Sequence, residues 1–220
     1  MIEFIVCVPV RAAGSILGRG DEILPAAPYS SMWPMATTAR TRTTVEQFLA
    51  ISERDPRRME LIDGEIVVVS EPRLAHGRLQ AQLIGALAEW QRRVPGRICV
   101  AGPTGALLGP HDVYGPDVVV SRSQPRVDAC GYLAEVPLLC VEIRSPSTWR
   151  NDIGRKKSVY EAHRVPELWL VDDVASVVLV FRRSAPDVTY YDAALELDGD
   201  DTLRSPLLPG FELALAELFA

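Results

Sequence analysis

At 220 residues the chain can bury a full core as one domain, and 48% hydrophobic with 24% charged residues is an ordinary globular composition. The net charge of −6 excludes a protein that coats nucleic acid through bulk electrostatics, though not one with a small basic cleft. His76, His111 and His163 are scattered, and Cys7, Cys99, Cys130 and Cys140 form no CxxC pair, which argues against a zinc site.

In chain order, residues 1–42 are rich in Gly, Pro, Ala, Ser and Thr and carry no sustained period, so a loose extension is expected ahead of a domain spanning 43–220. The apolar start "MIEFIVCVPVR" has Glu3 where a signal peptide carries positive charge, and no apolar run is long enough to span a membrane. A cytoplasmic protein is the expectation, with Cys99 and Cys140 as buried thiols. "TTVEQFLAISERDP" predicts a short helix capped by Thr43 or Thr44, with Val45, Phe48, Leu49 and Ile51 as its apolar stripe. "MELIDGEIVVVS" predicts a hairpin turning at Asp63-Gly64. From His76 onward, Leu79, Leu83, Ile84, Leu87 and Trp90 recur at helical spacing until Pro95-Gly96. "RICVAG", "GPDVVVSR" and "PLLCVEIRS" read as strands, "NDIGRKKSVYEAHRV" as a helix, and "ELWLVDD", "SVVLVFRR" and "VTYYD" as further strands. "LPGFELALAELFA" closes as a short strand or helix. The order describes a mixed α/β domain, a central sheet flanked by helices.

Within "LLCVEIRSPSTWRND", Glu142 lies inside an apolar strand, where an ionised carboxylate is expensive unless something pairs with it. Alternation sends Cys140, Glu142 and Arg144 to one face and Val141 and Ile143 to the other. If the strand starting at Asp117 is its neighbour, Asp117 and Glu142 converge at one sheet edge. Two close carboxylates repel, and a divalent cation such as Mg²⁺ relieves this through hard oxygen ligands. A lysine nearby, Lys156, neutralises charge developing on a phosphate. Taken singly, each residue has a plainer reading: Asp117 as a turn residue, Glu142 and Arg144 as a same-face ion pair, Lys156 as a solvated helix residue. Only the ordered combination points to phosphodiester hydrolysis.

The succession "MELIDGEIVVVS", "GPDVVV", "VEIRSPST", "DIGRKKSVY", "RVPELWLVD" and "SPLLPGFEL" resembles the Uma-type restriction endonuclease family, long catalogued as a domain of unknown function, in the PD-(D/E)XK nuclease superfamily. The likeness runs from about Thr43 to the C-terminus. It implies a restriction-endonuclease-like fold and an endonuclease cutting DNA with Mg²⁺ or Mn²⁺. Asp117, Glu142 and Lys156 then fall on the catalytic positions, with Asp117, Glu142 and the backbone carbonyl of Ile143 as metal ligands. Lys157 is the alternative to Lys156. Arg144 departs from the apolar residue usual in this branch; it can clamp a phosphate, hold Glu142 charged, or block the metal by pairing with Glu142. Glu60 and His76 occupy positions the family favours, and Tyr160 shares a helix face with Lys156. Trp169 reads as core. A homodimer is expected, because two dyad-related sites cut both strands of a duplex most simply. The competing class is a catalytically inactive nuclease-fold protein that serves as a binding or assembly module.

Overall fold

The computed structural model describes residues 42–144 and 152–220, residues 152 and 153 by their backbone alone. Residues 1–41 of the expected extension lie outside the described residues. Arg42, just ahead of the first helix, donates to the Asp63 backbone carbonyl at 3.2 Å and forms an ion pair with the Asp63 carboxylate.

Helix α1 (Val45–Ser52) begins where Thr44 accepts from the Gln47 backbone and the Gln47 side chain accepts from the Thr44 backbone, a reciprocal capping box. Phe48 is its buried residue, while Ile51 falls outside the arc of Val45, Phe48 and Leu49 and is exposed, unlike the expected stripe. Strands β1 (Met59–Ile62) and β2 (Glu65–Val68) form the expected hairpin. Asp63 and Gly64 both have positive φ, 53° and 76°, as a type I′ turn demands. Helix α2 (Leu74–Arg93) starts two residues before His76, and Leu79, Leu83, Leu87 and Trp90 form its buried stripe.

Strand β3 (Ile98–Ala101) precedes a second hairpin, β4 (Ala106–Gly109) and β5 (Asp112–Tyr114). Then come β6 (Val118–Arg122) and β7 (Leu139–Ile143). A π-helical turn over Asp152–Lys156 opens helix α3 (Lys157–Ala162). Strands β8 (Glu167–Asp172), β9 (Val177–Arg182), β10 (Ala193–Leu197), β11 (Thr202–Leu203) and β12 (Leu213–Ala214) follow, and α4 (Leu215–Phe219) ends the chain.

The main sheet has the order β10-β9-β8-β7-β6-β3, with β7 and β8 parallel and the other pairs antiparallel. A smaller sheet has the order β2-β1-β5-β4. Alternation along the central strands sorts two cores. Val118, Val120, Leu139, Val141, Ile143, Trp169 and Val171 pack with the α2 stripe and with Leu215 and Leu218 of α4. Val119, Cys140, Leu168 and Leu170 pack on the opposite face with Tyr160 of α3 and with Ile62, Leu108 and Tyr114 of the smaller sheet. Strand β1 alternates likewise: Ile62 joins this second core, and Leu61 packs with Phe48 and Val113. The architecture is therefore the expected mixed central sheet between helices.

Two local expectations give way. The strand expected at 188–192 forms instead at Ala193–Leu197, paired with β9. The stretch before it is held as a loop by Asp192, which accepts from the Ser184 backbone at 2.8 Å, and Tyr191 is spent on the core. The half-buried position of Cys99 also differs from the buried thiol expected; Cys140 is buried as expected.

Candidate active site

The register of β6 and β7 builds the site. Val118 pairs with Val141 and Val119 with Cys140 in an antiparallel ladder. Continued by one residue, the same ladder sets Asp117 opposite Glu142, both on the face that carries Val119 and Cys140. Like charges opposed across a sheet are destabilising, and each buried carboxylate costs several kcal/mol in lost hydration. Asp117 and Glu142 are only 5% and 3% exposed, so the surrounding donors must offset that cost.

Asp117 Oδ2 accepts from the Ile143 backbone N–H at 2.8 Å, which ties the start of β6 to the end of β7. Its Oδ1 lies 3.0 Å from His76 Nε2. Gln80, one helical turn after His76, donates to the Asp117 backbone carbonyl at 2.7 Å. The hydrogen bond to Asp117 raises the His76 pKa against the opposing effect of burial.

Glu142 is held by α3. Lys156 Nζ donates to both its oxygens, at 3.3 and 3.2 Å, and the Tyr160 hydroxyl donates to Oε1 at 2.5 Å. The spacing of four puts Lys156 and Tyr160 on one helix face. Burial, and then the neighbouring Glu142, push the Tyr160 hydroxyl well above its ordinary pKa, so it stays a donor. The same Lys156 ammonium donates to Glu60 Oε1 at 3.2 Å from β1. Glu60 Oε1 also accepts from the Gly115 N–H at 3.1 Å, and Arg58 donates to the Gly115 carbonyl at 3.0 Å. Glu60 thus links the small sheet to the Gly115-Pro116-Asp117 entry into β6.

Asp117, Glu142, Lys156, Glu60 and His76 line one cavity of about 760 Å³. Lys157 is turned elsewhere: its ammonium sits 4.8 Å from the Phe181 ring centre and 3.8 Å from Glu161. The Asp152 side chain, one turn before Lys156, lies outside the described residues.

The described donors to Glu142 come from Lys156 and Tyr160, while Arg144 makes a two-pronged ion pair with Asp172 of β8, at 2.9 and 2.7 Å. Arg144 lies just past the end of β7, and its backbone N–H donates to Val171 at 2.8 Å, so its side chain meets the end of the neighbouring parallel strand. Burial pushes the Asp172 carboxyl up, but the Arg144 guanidinium together with the backbone N–H groups of Ala175 and Val174 holds it below its ordinary pKa. Three supporting residues escaped the sequence reading. Gln80 was legible as the i+4 neighbour of His76, and Arg58 as the same-face neighbour of Glu60. Asp172 had no local signal, because its link to Arg144 depends on strand order.

Among the described residues, no group of three or more His, Cys, Asp and Glu side chains is set to hold a metal ion. Mg²⁺ asks for less, one or two carboxylates with the remainder from water and substrate, and the hard oxygens of Asp117 and Glu142 in one cavity fit that requirement. No helix among the described residues is long and apolar enough to cross a membrane.

Comparison with known proteins agrees with this architecture. The chain matches a crystal structure titled as a putative nuclease belonging to DUF820 from Anabaena variabilis ATCC 29413, with a TM-score of 0.67 and 19% identity, over 80% of this chain and 97% of that one. At that identity the likeness speaks for the fold. No curated protein gives a significant match. The family described as "Uma2: Putative restriction endonuclease" matches residues 45–216, which takes in every site residue named above, and the chain belongs to that family.

Proposed function

We propose that the chain is an endonuclease that hydrolyses DNA phosphodiester bonds with Mg²⁺ or Mn²⁺ at a PD-(D/E)XK-type site made by Asp117, Glu142 and Lys156. The observation that carries this reading is the pairing of two opposed, buried carboxylates with a buried lysine 3.2 Å from one of them, all lining one cavity. A structural ion pair needs neither the second acid nor the cavity.

Asp117 and Glu142, with the backbone carbonyl of Ile143, would hold the cation. When bound, it supplies Lewis-acid polarisation of a phosphoryl oxygen and acidifies water. The chain's own residues do the rest. His76 and the Ile143 N–H fix the Asp117 carboxylate through both oxygens. Tyr160 fixes Glu142. Lys156 carries positive charge to where the phosphate becomes more negative, and Glu60 shares its ammonium so that the side chain stays in place. In hydrolysis the water oxygen bonds to phosphorus and one P–O ester bond breaks. The products are a phosphate monoester and a hydroxyl that takes up the proton the water loses.

Calorimetry tests the cation assignment. Asp117→Asn should lose Mn²⁺ binding while retaining the wild-type circular dichroism spectrum; unchanged Mn²⁺ affinity would refute it. One observation favours the second reading, an inactive binding or assembly module: every carboxylate oxygen of Asp117 and Glu142 already accepts a protein donor. In that case Mn²⁺ does not bind and DNA is not cut. A cytoplasmic location and a homodimer complete the proposal; light scattering reads the mass directly.

A further inference from the structure

We infer that the cleft takes an unpaired strand of DNA in preference to a continuous duplex, an inference that rests on the nuclease reading of the same site. The first ground is depth. The three side chains that would meet the scissile phosphate are 3–7% exposed, so a phosphate must enter the cavity rather than brush its rim. A single backbone bends easily into such a recess, whereas a duplex presents its backbone on a wide, stiff cylinder.

The second ground is size. A cavity of about 760 Å³ lies within the range that encloses a drug-sized ligand, about 300–1,000 Å³, which suits a nucleotide or two. A duplex-reading surface buries about 1,000–2,500 Å² and extends along a groove.

The third ground is wall chemistry. Among the described residues, Val67, Val68, Val69 and Pro72, at and after the end of β2, and Val174 in the turn after β8 contribute apolar lining. Val68 and Val174 are 51% and 75% exposed, so both are accessible to a ligand in the cleft. A base pulled from the stack offers a flat apolar face for such walls, whereas a paired, stacked base keeps that face hidden. Arg73 lines the same cavity and can accompany a single backbone. The net charge of −6 suits a protein that holds one strand locally and does not wrap a duplex. One strand also needs one site, so this cleavage does not depend on pairing of two chains.

The test uses the full chain and one fluorescein-labelled sequence in three forms: single-stranded, blunt duplex, and duplex with a central unpaired bulge. Anisotropy in EDTA reads binding, and gel analysis with Mn²⁺ reads cutting. The single strand should bind at least about tenfold tighter than the duplex, and the bulged duplex should be cut at its unpaired segment. In the double variant Val68→Ser/Val174→Ser, whose positions are exposed, the binding ratio should fall toward one. A duplex bound or cut as well as the single strand, or no binding to any form, overturns the inference. Binding that prefers the single strand with no cutting of any form by folded protein sinks the nuclease reading and leaves the strand preference standing.

Discussion

Glu142 and Glu167 are buried carboxylates on neighbouring parallel strands of one sheet, and their surroundings differ in two respects that matter for function. Glu167, 1% exposed, accepts from Trp169 Nε1 at 2.6 Å and Ser205 Oγ at 2.8 Å and forms an ion pair with Arg182 at 3.1 Å. Its oxygens face protein, and the Trp169 ring beside it stacks on Phe211. Glu142 is as well paired, by Lys156 and Tyr160, yet it opens onto a cavity and has Asp117 opposite it. Burial, pairing and hydrogen bonding therefore do not distinguish a candidate active site from a structural clamp. Access and a second acid do, because an opposed acid is a standing cost that a fold would otherwise shed.

The sharpest way to break this comparison is to neutralise each glutamate in turn. Glu142→Gln should lower DNA cleavage at least about a hundredfold with circular dichroism unchanged, since it removes charge where the reaction needs it. Lys156→Ala should lower turnover at saturating DNA by a similar factor with little change in DNA affinity. It should also lower stability by about 3 kcal/mol, because Glu60 and Glu142 lose the cation they share, so turnover is compared at equal folded concentration. A mutant that binds DNA more weakly but turns over normally would reduce Lys156 to an electrostatic role. Glu167→Gln should show the converse pattern: a loss of about 3 kcal/mol in urea unfolding, with cleavage per folded molecule unchanged.

Arg144→Leu should give the smallest effect, about 1–2 kcal/mol in stability with cleavage largely intact, because Arg144 serves Asp172 in the described contacts. The pH dependence has a definite sign. Asp172 titrates lower in the folded chain than its ordinary 3.8, so its contribution is fully present above that value and is lost as pH falls through the folded value. Denaturant melts of Arg144→Leu should differ from wild type most at neutral pH, and the gap should close in acid. A gap that widened in acid would contradict the Arg144–Asp172 assignment.

The parts legible in the sequence were those that local rules decide. The cap at Thr43 or Thr44, the Asp63-Gly64 turn and the α2 stripe each follow from spacing and side-chain chemistry within a few residues. Alternation alone set Glu142 apart from Val141 and Ile143, and four-residue spacing joined Lys156 to Tyr160. The β4–β5 hairpin escaped because its strands are short and its faces serve different cores: Leu108 and Tyr114 pack on one, Leu107 and Val113 on another. The turn "GPHD" was its one usable signal. The partner of Arg144 escaped for a different reason. Asp172 is far along the chain and becomes a neighbour only because β7 and β8 run parallel, with Ile143 beside Val171.

The central claim is that the cavity holding Asp117, Glu142 and Lys156 is a metal-dependent nuclease centre. Nicking of negatively supercoiled plasmid, whose torsional stress opens unpaired segments, with and without Mn²⁺, wild type beside Glu142→Gln at equal folded concentration, tests it most directly. The account predicts nicking by wild type that rises with Mn²⁺ and none by the variant. Equal nicking by both proteins, or no Mn²⁺-dependent nicking by folded wild type, would contradict it.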